Sequence, residues 1–144
     1  MTELRGVIIR PATPGDGEAI FPLVERFATS FDVQKSAFRA SLPNILADAS
    51  ACLLIAETDG ALLGYLLGFD HLAFFANGRV AWVEEIMVAE SFRQRGIGRS
   101  LMKSFDEWGR SRQCRLIALA TRRAAPFYRA LGYEESAAYF RKLL

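Results

Sequence analysis

The stretch from Val80 to Arg112 constrains the fold more than any other part of the chain. Val80 to Val88 is a run of apolar and β-branched residues that predicts a strand, and Arg93 to Arg112 predicts a long helix. In that helix Leu101, Met102, Phe105 and Trp108 recur at spacings that put them on one face. Such a face must lie against a sheet, so the chain is restricted to layered α/β architectures. Further strands are predicted at Val7–Arg10, Cys52–Glu57, Ala61–Phe69, Leu116–Ala120 and Ala137–Leu143. Helices are predicted from Thr13 to Phe31, from Ser36 to Ala49 and from Ala125 to Leu131, where Gly132 ends the last. Pro22 and Pro43 each fall inside a helical pattern, so a kink or a late start is expected there. Thr58-Asp59-Gly60 is a hairpin turn, and His71 to Arg79 is expected to be a loop. The order βααβββαβαβ means a mixed sheet with helices on its faces.

The chain has 144 residues, the size of one domain, so residues 1–144 are expected to form a single unit. No apolar run approaches the ~18 residues that cross a bilayer, which argues against a membrane partner. Met1-Thr2-Glu3-Leu4-Arg5 lacks a basic-then-apolar secretory layout, and a cytoplasmic location is expected. Cys52 and Cys114 lie far apart in apolar segments, and there is one histidine, His71. That set cannot build a zinc site; buried structural thiols and no bound metal are expected.

Charge is unevenly spread. Residues 1–92 carry 6 Lys/Arg against 12 Asp/Glu, whereas residues 93–123 carry 9 against 2. Either the second half meets a polyanion or its arginines form a solvated helix face. Gly96 and Gly98 open the helix that follows the strand. First-turn N–H groups have no intrahelical partner, and with the helix dipole behind them they suit phosphate oxygens. Arg93 and Arg95 add charge at the rim. The dinucleotide G-x-G-x-x-G and the P-loop Gly-Lys-Ser/Thr are both missing, and close packing would explain the two glycines equally well. A nucleic-acid module would interleave basic and exposed aromatic residues, but Phe105 and Trp108 lie on the apolar stripe, so no nucleic acid is expected.

Arg93-Gln94-Arg95-Gly96-Ile97-Gly98 resembles the Q/R-x-x-G-x-G/A signature of the GNAT superfamily, the acyl-CoA-dependent N-acyltransferases. Met87-Val88, Glu90 and Phe92 supply a matching context before it. Ala124-Ala125-Pro126-Phe127-Tyr128-Arg129-Ala130-Leu131-Gly132-Tyr133 is similar to the family's A-x-x-F-Y-x-x-x-G-F/Y helix. The resemblance covers nearly the whole chain and implies a GNAT fold: a central mixed, mostly antiparallel sheet with helices on both faces. It implies that the strands near 80–88 and 115–120 splay apart. The pantetheine arm of acetyl-CoA would lie in that gap, and its pyrophosphate would cap the helix carrying Arg99. Met87, Val88, Arg93, Gln94, Arg95, Gly96, Ile97, Gly98, Arg99, Phe127 and Tyr128 are then the cofactor-side positions. Thr121 stands where the family often has an asparagine that contacts pantetheine.

The implied activity is acetyl transfer from acetyl-CoA to a primary amine by direct attack within a ternary complex. A small-molecule amine is the favoured acceptor; a protein N-terminus or lysine, and a non-catalytic acyl-CoA-binding or basic interaction module, are the alternatives. A backbone N–H near Met87–Val88 would polarise the thioester carbonyl. Tyr128 matches the family tyrosine near the sulfur and would be the general acid. Glu84 and Glu85 fall where many members place acidic residues facing the acceptor, so one of them would be the base, with Glu85 preferred. His71 precedes a loop that could wall the acceptor pocket, and Phe74, Phe75, Trp82 and Tyr139 could line it. The resemblance leaves a homodimer open.

Overall fold

The computed structural model describes residues 6–144; the reading of Met1–Arg5 as a non-secretory start lies outside them. Among the described residues five strands form one sheet in chain order: β1 (Ile8–Pro11), β2 (Ala51–Thr58), β3 (Ala61–Ala73), β4 (Gly78–Val88) and β5 (Cys114–Leu119). The first four pair antiparallel, and β5 runs parallel to β4. The parallel step requires a crossover, which α3 (Ile97–Ser111) supplies. The remaining helices are α1 (Gly17–Phe27), α2 (Lys35–Ala47) and α4 (Ala125–Ala130).

Two apolar layers sandwich the sheet because side chains alternate along each strand. Leu54, Leu66, Ala81 and Val83 meet Leu101, Met102 and Phe105 of α3. Their strand neighbours Ile55, Tyr65 and Leu67 face the other way, onto Ile20 and Leu23 of α1. The glycine at position 68 is required by the first layer: a Cβ there would lie 2.3 Å from the Phe105 ring. At Leu67/Gly68 the β3–β4 register slips, so that Leu67 faces Glu85 and Gly68 faces Val83, leaving Glu84 as an extra residue in a β-bulge.

Several boundaries differ from the sequence expectation. A 3-10 turn at Pro14–Asp16 precedes α1, which is the late start, and both Pro22 and Pro43 are carried inside helices. Burial of Ile20 and Leu23 on either side of Pro22 holds the helix through the lost hydrogen bond. The expected loop from His71 to Arg79 is mostly strand: β3 continues to Ala73, β4 begins at Gly78, and only 74–77 form the turn, with Asn77 at φ 57°. The long helix starts at Ile97 rather than Arg93, because Gln94 and Gly96 both hold positive φ.

The expected last strand, Ala137–Leu143, does not form. Among the described residues 134–144 make no backbone–backbone hydrogen bond, and Phe140 is 89% exposed. Tyr139, Phe140 and Leu143 have strand-type side chains, but propensity alone supplies no neighbouring strand to pair with.

Candidate active site

The β4–β5 ladder ends at the pair Val83–Leu119. β4 continues from Glu84 to Val88 with β3 alone as its partner, while the chain beyond Leu119 turns away toward α4. The sheet is therefore split at this end, as the splay near 80–88 and 115–120 required. Thr121 makes the turn: its Oγ1 accepts the Ala124 N–H at 3.0 Å, just before α4. The Ala89 N–H bonds Leu63 O of β3 at 2.8 Å. Backbone groups alternate in direction along a strand, so the N–H and C=O of Val88 point the opposite way, into the gap. Consistent with this, Arg93 Nε donates to Val88 O at 3.2 Å, and Arg93 Nη2 lies 3.9 Å from Met87 Sδ.

The turn before α3 lies beside the gap. Arg93 is extended, Gln94 is left-handed at φ 62°, and Gly96 is left-handed at φ 81°. The turn leads into the first turn of the 15-residue α3, whose N–H groups have no intrahelical partner, an arrangement that suits an anion. A Cβ on Gly96 would meet nothing within 4 Å, so that glycine serves the backbone conformation and leaves its outer side open. A Cβ on Gly98 would lie 3.4 Å from Phe127 Cζ of α4, an ordinary van der Waals contact. Ile97 is buried in the core and offers only its backbone to the gap, whereas Arg95 sits over the Phe92 ring at 5.6 Å and Gln94 and Arg99 are exposed.

Tyr128 is 7% exposed, gripped edge-on by Phe127 at 5.0 Å and by Tyr133 at 5.8 Å between ring centres. Burial raises its pKa above the usual phenol value, so it stays protonated at neutral pH. No buried side-chain oxygen among the described residues lacks a hydrogen bond, and the Tyr128 hydroxyl makes none, so its oxygen is open to solvent.

The bulge gives the two glutamates different surroundings. Glu84 is exposed at the extra position. Glu85 lies opposite Leu67, on the α1 side of the sheet, at the mouth of the gap. Burial raises its pKa and the charge of Glu84 adds to this, while a hydrogen bond from Tyr65 opposes both. That bond, Tyr65 Oη to Glu85 Oε1 at 2.8 Å, had no signal in the sequence, because only the bulged register makes the two residues neighbours.

Other candidates fall elsewhere. His71 pairs with Val80 at the opposite end of β4 from Val88, roughly 26 Å away at about 3.3 Å per residue. Phe74 and Phe75 are exposed at the hairpin tip beyond it, Tyr139 is in the unpaired C-terminal segment, and Trp82 faces Phe69 before the gap begins. His71, Phe74 and Phe75 thus lie away from the gap. Cys52 is buried, which pushes its thiol up to about 12, and no group of residues able to hold a metal occurs among the described residues. No helix of the described residues is long and apolar enough to cross a membrane.

Comparison with known proteins agrees with this geometry. A segment of 89 residues is 32% identical to the aminoglycoside N(6′)-acetyltransferase type 1 of Salmonella typhimurium, and it spans 57% of this chain and 61% of that relative. Aminoglycoside acetyltransferase AAC(6′)-Iy, solved with the bisubstrate analogue CoA-S-monomethyl-acetylneamine, superimposes with a TM-score of 0.80 at 25% identity, over 96% of this chain and 99% of that one. Glucosamine-6-phosphate N-acetyltransferase from Arabidopsis thaliana shares the fold at a TM-score of 0.85 and 17% identity, over 96% and 99% of the two chains. The acetyltransferase (GNAT) family model matches residues 18–133. A sheet split beyond Val83, with a glycine-turned helix start beside the split, accompanies this match, and the chain belongs to the GNAT acetyltransferase family.

Proposed function

We propose that this enzyme transfers the acetyl group of acetyl-CoA to a primary amine on a small, cationic acceptor. One observation carries the reading: β4 presents an unpaired edge from Glu84 to Val88, with the Val88 N–H directed into the gap and a half-buried carboxylate, Glu85, at its mouth. The residues present fit the donor. The open β4 edge can pair with an amide-bearing arm, and the turn at Arg93–Gly96 with the α3 start suits a diphosphate. When bound, acetyl-CoA supplies the activated thioester.

The chain's own groups then divide the work. Glu85 removes a proton from the incoming ammonium, a task helped by a pKa above the ordinary carboxylate value. The Val88 N–H donates to the carbonyl oxygen as the nitrogen–carbon bond forms, and such an aligned donor is usually the largest catalytic contribution. Tyr128 would give its phenolic proton to the sulfur as the carbon–sulfur bond breaks, and the second proton lost from the nitrogen would restore the phenol. Arg93, Gln94, Arg95, Gly96, Ile97 (by its N–H), Gly98 and Arg99 would hold the phosphates, Met87 and Phe127 would border the arm, and Thr121 would line the turn beside it. Glu84, exposed next to Glu85, adds negative charge that attracts a cationic acceptor. The names of the relatives favour an amino sugar within that class.

The test is a thiol-release assay with acetyl-CoA over a panel of aminoglycosides, simple amino sugars, polyamines and N-terminal or lysine peptides. Turnover is expected with a polycationic amino sugar and not with the peptides. Turnover on the peptides alone would overturn the acceptor class, and absence of acetyl-CoA binding by calorimetry would overturn the donor.

A further inference from the structure

We infer that Tyr65 is a positioning residue for the base: it holds one carboxylate oxygen of Glu85 so that the other is presented to the amine. This rests on the reading of Glu85 as the base. Three features of the structure carry it. Tyr65 is 1% exposed, with its ring fixed among Ile20, Leu23, Ile55 and Leu67, so its hydroxyl is a rigid donor. That hydroxyl donates to Glu85 Oε1 at 2.8 Å, while among the described residues Oε2 accepts no hydrogen bond. The bulge at Glu84 brings the pair together, since in an unbroken register continued from the hairpin Glu85 would lie opposite Leu66 and project from the other face of the sheet.

A carboxylate at the mouth of an apolar gap has two problems. It rotates about its side-chain bonds, and burial together with the neighbouring Glu84 favours its protonated form. The Tyr65 hydroxyl answers both, because it fixes one oxygen and stabilises the charged state. The groups that act on Glu85 are few: Tyr65 from β3 and Glu84 beside it on β4. The charged residues of α1, which packs on β4, are Glu18, Glu25 and Arg26. Glu18 is paired with Lys35 and Arg39, and none of the three bonds to Glu85 among the described residues. The pH range of the base is therefore set by burial and the Glu84 charge on one side and by the Tyr65 hydroxyl alone on the other.

The experiment compares pH profiles of kcat/KM for the wild type, Tyr65→Phe, Glu85→Gln and the double variant, with the Glu85 carboxyl titration followed directly by carbon-13 NMR. In Tyr65→Phe the acidic limb is expected to move up by about one pH unit, so that kcat/KM falls by up to about tenfold on the acidic side of the limb, with KM for acetyl-CoA unchanged. The carboxyl titration should move with it. Glu85→Gln should remove the acidic limb, and adding Tyr65→Phe to it should change nothing more. If Glu85→Gln retains the wild-type profile, the assignment of the base fails. If Glu85→Gln loses the limb while Tyr65→Phe leaves both limb and carboxyl titration in place, the assignment of Tyr65 fails alone, and a lowered melting temperature with an unmoved profile would mark it as a packing residue.

Discussion

At the residue scale, Tyr128 joins two properties that a proton donor to sulfur needs. Its ring is fixed between Phe127 and Tyr133, and its pKa is raised by burial, so it holds its proton until a strongly basic atom appears beside it. Tyr128→Phe is expected to reduce kcat by about 100-fold, the typical scale of general acid catalysis, while leaving the Kd for acetyl-CoA within about twofold. Turnover and calorimetry on the same sample check both halves. The sequence made Tyr128 and the glycines legible because a local motif carries them. It favoured Glu85 without separating it from Glu84, because which of two adjacent strand residues faces a given layer depends on a register slip in the pairing with another strand. Tyr65 was illegible for the same reason.

At the element scale, β4 and α3 are coupled through one glycine. The Phe105 ring occupies the space where a side chain on residue 68 would begin, and residue 68 lies where the β3–β4 register slips around Glu84. Gly68→Ala is expected to destabilise the fold by about 1–3 kcal/mol, the usual cost of overpacking a filled core, as measured by urea unfolding. Elements that satisfy themselves locally were readable: α3 from its apolar stripe, and the β2–β3 hairpin from a turn in which Asp59 and Gly60 both take positive φ. The segment from Ala137 to Leu143 has the side chains of a strand and the structure of a tail, because a strand exists only through its partner and the sequence of a segment does not name one.

At the scale of the whole molecule, Asp70 is the main electrostatic anchor. Its side chain is fully buried, accepting from Arg79 Nε at 2.7 Å and from Arg112 Nε at 2.6 Å. Burial works against its charge, but the two guanidinium groups outweigh this and lower its pKa to about 2. Asp16, bonded mainly by Arg10, is also lowered to about 2. A depressed carboxyl pKa contributes stability above its unfolded value near 3.8 and loses it as pH falls toward 2. Each shift is worth roughly 2 kcal/mol. Urea midpoints are therefore expected to be flat from pH 7 to about 5 and to drop steeply between about 4 and 2. Asp70→Asn should lower the plateau and remove about half of that drop.

Asp70 lies on β3, Arg79 on β4, and Arg112 where α3 gives way to β5. One buried carboxylate thus rivets three consecutive elements at one end of the sheet, while at the other end β4 and β5 go their own ways. The arrangement works like a clothes-peg whose spring is far from its jaws. Strand β4 is thus pinned by charge where its neighbours hold together and left free where they part.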